Sequence, residues 1–183
     1  MKIHAFETGT VSVKQNQVRG RGPGRLRTIN VLTGREWTDQ VPILCWLIEH
    51  DEGLIMVDTG ETARSAEPGY FPRWHPYYSQ ATRFRVPPGR EIDPQLRQAG
   101  FDPNDVSKVV MTHMHTDHAG GLPAFEKAEV LMSARELKGI HSPLAQVDGY
   151  LTNRFPDWLD PTGLTFDDGP LHGFAASRTL TRA

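Results

Sequence analysis

Two apolar runs joined by one tight turn constrain this chain more than any other feature. Ile43 to Ile48 is apolar without interruption, Asp51-Glu52-Gly53 turns, and Leu54 to Val57 is apolar again. Runs this short, bounded by turn residues, read as buried strands lying side by side in one sheet. Lys108 to Met111 and Glu129 to Met132 are further strands of this kind, and helix signals alternate with them. Asp93 can cap a helix with Pro94 at its first position, Leu96 and Ala99 on its apolar face and Gly100 at its end. Ser133 with Glu136 three residues on is a capping box for a helix ending near Gly139. Alternating strands and helices predict an α/β fold with helices packed on a sheet. Cys45 lies within the first apolar strand and reads as a small core residue rather than a nucleophile.

The remaining segments are less regular. Residues 2 to 14 suit a hairpin or a bulged strand broken at Gly9. Arg19 to Arg27 carries four Arg, three Gly and one Pro, which reads as a solvated connector in a chain that is net acidic overall. Residues 60–90 are expected to be an irregular insertion, with five Pro and the aromatics Tyr70, Phe71, Trp74, Tyr77 and Tyr78 in no period. From Ser142 onward the chain is expected to be mostly irregular. All 183 residues are expected to form a single domain.

Composition narrows the function classes. Twenty Lys and Arg against 22 Asp and Glu give a net charge of −2, so no chain-wide field favours nucleic acid or an anionic membrane. No apolar run approaches the roughly 18 residues of a membrane span, and His4 and Glu7 interrupt any signal-peptide core. With one cysteine as well, the expected location is cytoplasmic.

The chemistry is concentrated in His113-Met114-His115-Thr116-Asp117-His118, which holds three of the eight histidines. The segment begins just past the strand at Lys108 to Met111, and α/β folds place their sites at the carboxyl ends of strands. In extended chain residues two apart point the same way, so His113 and His115 can bind one cation together. The small residues Ala119-Gly120-Gly121 let the chain turn, aiming Asp117 and His118 at a second position. Imidazole pairs and carboxylates suit zinc or another borderline divalent ion, which lowers the pKa of its bound water.

This segment resembles the His-x-His-x-Asp-His signature of the metallo-β-lactamase superfamily, and Val57-Asp58-Thr59-Gly60 resembles the Asp-Thr-Gly turn that precedes it there. Pro42 to Gly60 and Thr112 to Leu122 look most like the N-acyl homoserine lactonase branch, the quorum-quenching hydrolases. The resemblance implies an αββα sandwich of two mixed sheets between helices. It implies that His113 and His115 ligate a first zinc and that Asp117 and His118 ligate a second. Asp117 would also pass a proton to the leaving alkoxide. Asp58 would orient the site or, equally, cap the tight turn beside Gly60. The implied substrate is a small lactone or ester, with a thioester as the alternative. Tyr70, Phe71, Trp74 and Tyr77 would either line a channel for an acyl chain or pack the loop on the sheet, the latter being preferred; His75 among them reads as a loop residue.

The family's second half normally adds a His to the first metal, an Asp bridging both and a last His to the second. No Gly-His-Thr-like segment is present, and His141, His172, Asp160, Asp167 and Asp168 lie in no comparable motif. The chain is therefore expected to be the N-terminal portion of a metallo-hydrolase, incomplete at its C-terminus and weak or inactive alone. A non-catalytic remnant that associates through an exposed apolar sheet face, forming a homo-oligomer, is the reading from another class.

Overall fold

A computed structural model describes residues 1–20 and 23–182. In chain order its elements are β1 (Lys2–Val13), α1 (Gln15–Arg19), α2 (Gly24–Thr33), β2 (Val41–His50), β3 (Gly53–Val57), α3 (Pro76–Gln80), β4 (Thr82–Arg85), α4 (Ile92–Gln98), β5 (Val106–Val110), α5 (Thr116–Ala119), β6 (Glu129–Ser133), α6 (Ala134–Ile140) and β7 (Thr162–Leu164). The strands form one seven-stranded sheet in the order β4-β1-β2-β3-β5-β6-β7. Its first half is antiparallel, with β2 and β3 forming the predicted hairpin. From β3 onward it is parallel, through β5 and β6 to β7. Parallel neighbours end at the same edge, which places the residues after β3 beside those after β5.

Side-chain alternation decides which face is covered. Ile43, Cys45 and Leu47 of β2 point inward and are buried, while Leu44 and Trp46 between them are 39% and 41% exposed. Leu47 stands opposite Met56, which pairs in turn with Val109. These residues form the core with Ile92 and Leu96 of α4, Ala119 of α5, Leu122, Phe125 and Ile140 of α6. Burying each large side chain contributes roughly 1.5–3 kcal/mol. The opposite face keeps Ile3, Leu44 and Trp46 open, as the apolar strands predict. The described residues thus supply one sheet whose core face is covered by α4, α5 and α6.

Several expectations are corrected. The stretch 60–90 is not wholly irregular: it contains α3 and β4, and β4 pairs with β1 from Thr10 to Val13. The tail is mostly irregular, as expected, and adds β7 to the sheet edge beside β6; the backbone amide of Arg182 donates to Glu52 at 2.6 Å. Of the expected connector at Arg19 to Arg27, residues 21 and 22 lie outside the described residues, and the flanking chain is helical in α1 and α2 rather than looped. Helix α4 starts at Ile92, earlier than its predicted cap at Asp93. Asp93 instead pairs with Arg97 one turn on, at 2.9 Å. The cap at Ser133 forms as predicted, its hydroxyl accepting from the Glu136 amide at 3.1 Å. The Glu136 carboxylate does not return to Ser133; it accepts from the Met114 amide at 2.8 Å and from the Tyr150 hydroxyl at 3.2 Å.

Candidate metal centre

The predicted segment leaves the end of β5, and the turn after β3 clamps it. The Asp58 amide donates to the Val110 carbonyl at 3.0 Å, and both the amide of Thr59 (2.7 Å) and its hydroxyl (2.7 Å) donate to the His118 carbonyl. The Gly120 amide donates to the Gly60 carbonyl at 2.8 Å. Gly60 has φ +71°, and a Cβ there would lie 2.2 Å from the Thr8 hydroxyl, so only glycine fits. Asp58 is itself in the left-handed region at φ 56°, which Asp tolerates better than most residues.

Buried Asp58 organises the imidazoles. Its carboxylate accepts from the Thr112 amide at 2.8 Å, the Thr112 hydroxyl at 2.7 Å and His118 Nδ1 at 2.8 Å. That fixes His118 with its proton on Nδ1 and leaves Nε2, 3.7 Å from Asp117 Oδ2, with its lone pair. The single Thr112 hydroxyl proton goes to Asp58, so the same oxygen accepts from His113 Nδ1 at 3.2 Å and His113 Nε2 is left free. His115 Nε2 lies 3.2 Å from the Asp148 carbonyl, an acceptor only, so its Nδ1 carries the lone pair. The ring centroids of His113 and His118 are 4.0 Å apart and those of His113 and His115 are 4.8 Å apart. Anchoring one imidazole nitrogen on a carboxylate or carbonyl is how metal-binding histidines are oriented.

The electrostatics separate the histidines. Burial lowers the pKa of His113, and the neighbouring His118 and His115 lower it further. Burial alone would lower His118 too, yet the Asp58 hydrogen bond and the charges of Asp117, Asp58 and Glu61 carry it above the ordinary imidazole value. Glu61, wholly buried behind the Asp-Thr-Gly turn, is pushed up to about 7, chiefly by burial and further by Asp117. Cys45 is pushed up to about 12, first by burial and then by Asp58, as befits a core thiol.

All five residues singled out in the sequence, Asp58, His113, His115, Asp117 and His118, therefore meet at one end of the sheet. Among the described residues no three His, Cys, Asp or Glu side chains are arranged as they stand to hold an ion together. The donor chemistry nevertheless fits a divalent cation, because each of the three neighbouring imidazoles, in its neutral form, keeps one nitrogen lone pair unengaged. Asp167 and Asp168 are engaged elsewhere, with Thr165 at 2.5 Å and with Thr179 at 2.6 Å. Sequence reasoning missed Thr112, which relays Asp58 to His113, and the Asp148 carbonyl. It also missed Glu61, whose one signal is a carboxylate directly after the Asp-Thr-Gly turn.

Beside His115 opens a cavity of about 460 Å³, walled by Val31 and Leu32 of α2, by Trp74, His75 and Tyr77, and by Val147 to Gly149. The aromatic insertion divides between its two readings. Trp74 and Tyr77 line the cavity, whereas Tyr70 and Phe71 pack with Tyr78 and Phe84, Phe71 stacking on Tyr78 at 4.8 Å. His75 precedes α3 at the N-cap position without a side-chain cap and is buried, its Nε2 3.0 Å from the Val147 carbonyl.

Comparison with known proteins gives concordant matches. The family profile described as "Metallo-beta-lactamase superfamily" matches residues 38–181. A protein of Mycobacterium tuberculosis named a probable metallo-hydrolase is 31% identical over 147 residues, covering 76% of this chain and 46% of that protein. The N-acyl homoserine lactonase AiiA of Bacillus thuringiensis subsp. kurstaki is 32% identical over 98 residues, 52% of this chain and 38% of that one. The chain thus spans less than half the length of these curated relatives. A crystal structure of a B. thuringiensis AiiA mutant with N-decanoyl-L-homoserine bound superposes with a TM-score of 0.69 at 21% identity, over 94% of this chain and 62% of that one. The predicted α/β class and sheet-and-helix arrangement are those of these neighbours, of which the chain covers part. No helix among the described residues is long and apolar enough to cross a membrane.

Proposed function

We propose that this chain, which belongs to the metallo-β-lactamase superfamily, is a metal-dependent hydrolase that opens small lactones of the N-acyl homoserine type. The observation that carries the reading is the set of lone-pair nitrogens at His113, His115 and His118, each oriented through its other nitrogen and grouped beside Asp117. His113 and His115 would hold one zinc ion and Asp117 with His118 a second; other divalent ions suit the same donors. Such ions supply an activated water and polarise the substrate carbonyl.

The remaining steps fall to the protein. Asp58 keeps the His118 proton on Nδ1, so that Nε2 faces Asp117. Asp117 would take up the proton that the attacking water gives up and pass it to the alkoxide oxygen that leaves as the ring opens. The cavity beside His115 takes the acyl chain, since Val31, Leu32, Trp74 and Tyr77 give it an apolar wall. His113 with His115, and Asp117 with His118, would give each ion two side chains where a catalytic zinc commonly has three, so turnover by these residues alone would be slow. Residues 1–183 are read as one domain working in the cytoplasm. The open sheet face with Leu44 and Trp46 would be its self-association surface.

The test compares acid release from an N-acyl homoserine lactone with thiol release from a thioester, both with added zinc. The proposal expects zinc-dependent acid release that disappears in His113→Ala/His115→Ala. Thiol release without lactone opening would move the substrate to thioesters. Zinc-independent rates, or rates untouched by the double substitution, would contradict the assignment.

A further inference from the structure

We infer that the Val147 to Gly149 turn is a positioning element that sets the tautomer and orientation of His115. The inference rests on His115 being a metal ligand, as proposed above. Its basis is that three consecutive backbone carbonyls of this turn each accept from a different side chain. The Val147 carbonyl takes His75 Nε2 at 3.0 Å, the Asp148 carbonyl takes His115 Nε2 at 3.2 Å, and the Gly149 carbonyl takes the Tyr78 hydroxyl. A carbonyl only accepts, so this arrangement selects the Nε2–H form of His115 and reserves Nδ1 for a cation.

The turn is stiff enough to impose that choice. Its amides are satisfied internally: Val147 and Asp148 donate to the Leu144 carbonyl at 2.8 and 3.0 Å, and Gly149 donates to Gln146 at 3.3 Å. On its far side Tyr78 is stacked against Phe71 at 4.8 Å, with His75 5.0 Å away. Tyr150 closes the other flank of His115 at 5.3 Å, its hydroxyl held by Glu136. Gly149 has φ +98°, and a Cβ there would lie 3.1 Å from His115 Nε2. A side chain at this position would strain the backbone and crowd the His115 ring at the nitrogen that meets the Asp148 carbonyl. The turn also walls the cavity, so the group that positions His115 is in contact with whatever fills that space.

The experiment reads the imidazole nitrogens of the zinc-free protein by nitrogen-15 NMR at about pH 8, above the ordinary imidazole pKa. It compares wild type, Gly149→Ala and Tyr78→Phe, and then measures zinc affinity by chelator competition. Wild type should show His115 protonated on Nε2. Gly149→Ala should lose that signature while His113 and His118 keep theirs, and its zinc affinity should fall about 10–100-fold. Tyr78→Phe, which removes one of the three bonds, should weaken zinc in the same direction by a smaller factor. An Nδ1–H tautomer for His115 in wild type would overturn the inference. So would a folded Gly149→Ala with unchanged tautomer and affinity or, if that variant does not fold, wild-type affinity in Tyr78→Phe. Absence of zinc binding by wild type would instead contradict the metal reading, and the tautomer would still decide the role of the turn.

Discussion

His118 Nδ1 lies 2.8 Å from Asp58 Oδ2, a bond between residues sixty positions apart. It exists because β3 and β5 are parallel neighbours whose ends emerge side by side, with Val57 opposite Val110. Asp58 accepts three hydrogen bonds there, so replacing one of its oxygens by an amide nitrogen sets a donor against a donor. Asp58→Asn should weaken zinc binding about 10–100-fold and lower stability by about 1–3 kcal/mol. Chelator competition and urea unfolding check the two effects separately.

Glu61 predicts a pH dependence of stability. Its carboxyl titrates near 4.5 unfolded and at about 7 in the folded chain, pushed up chiefly by burial. The folded state therefore holds a proton that the unfolded state has lost, and stability falls as pH rises from 4.5 to about 7. The loss is on the order of 3 kcal/mol and is complete above the folded pKa. Glu61→Gln, which cannot ionise, should flatten this part of the profile and be the more stable protein at about pH 8. Urea unfolding across that range measures it, and parallel profiles for the two proteins would count against a buried, titrating Glu61.

Close packing behind the site makes its glycines sensitive. A Cβ at Gly60 would meet the Thr8 hydroxyl at 2.2 Å, and one at Gly121 would meet the Thr59 carbonyl at 2.3 Å. Gly60→Ala and Gly121→Ala should each destabilise the chain by about 3 kcal/mol or leave it unfolded, by overpacking. Thermal unfolding followed by circular dichroism gives the answer.

Cys45 should be chemically silent while the chain is folded. It has no exposed surface, and its thiol is pushed up to about 12 by burial and by Asp58. A thiol reagent at neutral pH should label it only after denaturant is added, since the thiolate is the reactive form. Rapid labelling of the native protein would place it outside the core.

The features legible in the sequence were local ones. The apolar runs of β2, β3, β5 and β6 announce buried strands, and alternation places His113 and His115 together before any tertiary contact is known. Edge strands escaped because they carry little signal of their own. β4 has four residues and β7 has three, and each is a strand only through its neighbour in the sheet. The helices flanking the Arg-Gly stretch were hidden by its turn-forming composition. Asp58 could be tied to the site through the family resemblance, but not its bond to His118, which depends on strand order. The Asp148 carbonyl is a backbone group, and no side chain advertises it.

On the reading proposed above, His113, His115, Asp117 and His118 form a metal site. Equilibrium dialysis of the purified chain against zinc, with His113→Ala/His115→Ala alongside, measures it. Wild type should bind zinc, more weakly than a site with three protein ligands per ion, and the double variant should show a marked loss. Equal zinc uptake by the two proteins, or none by either, would contradict it.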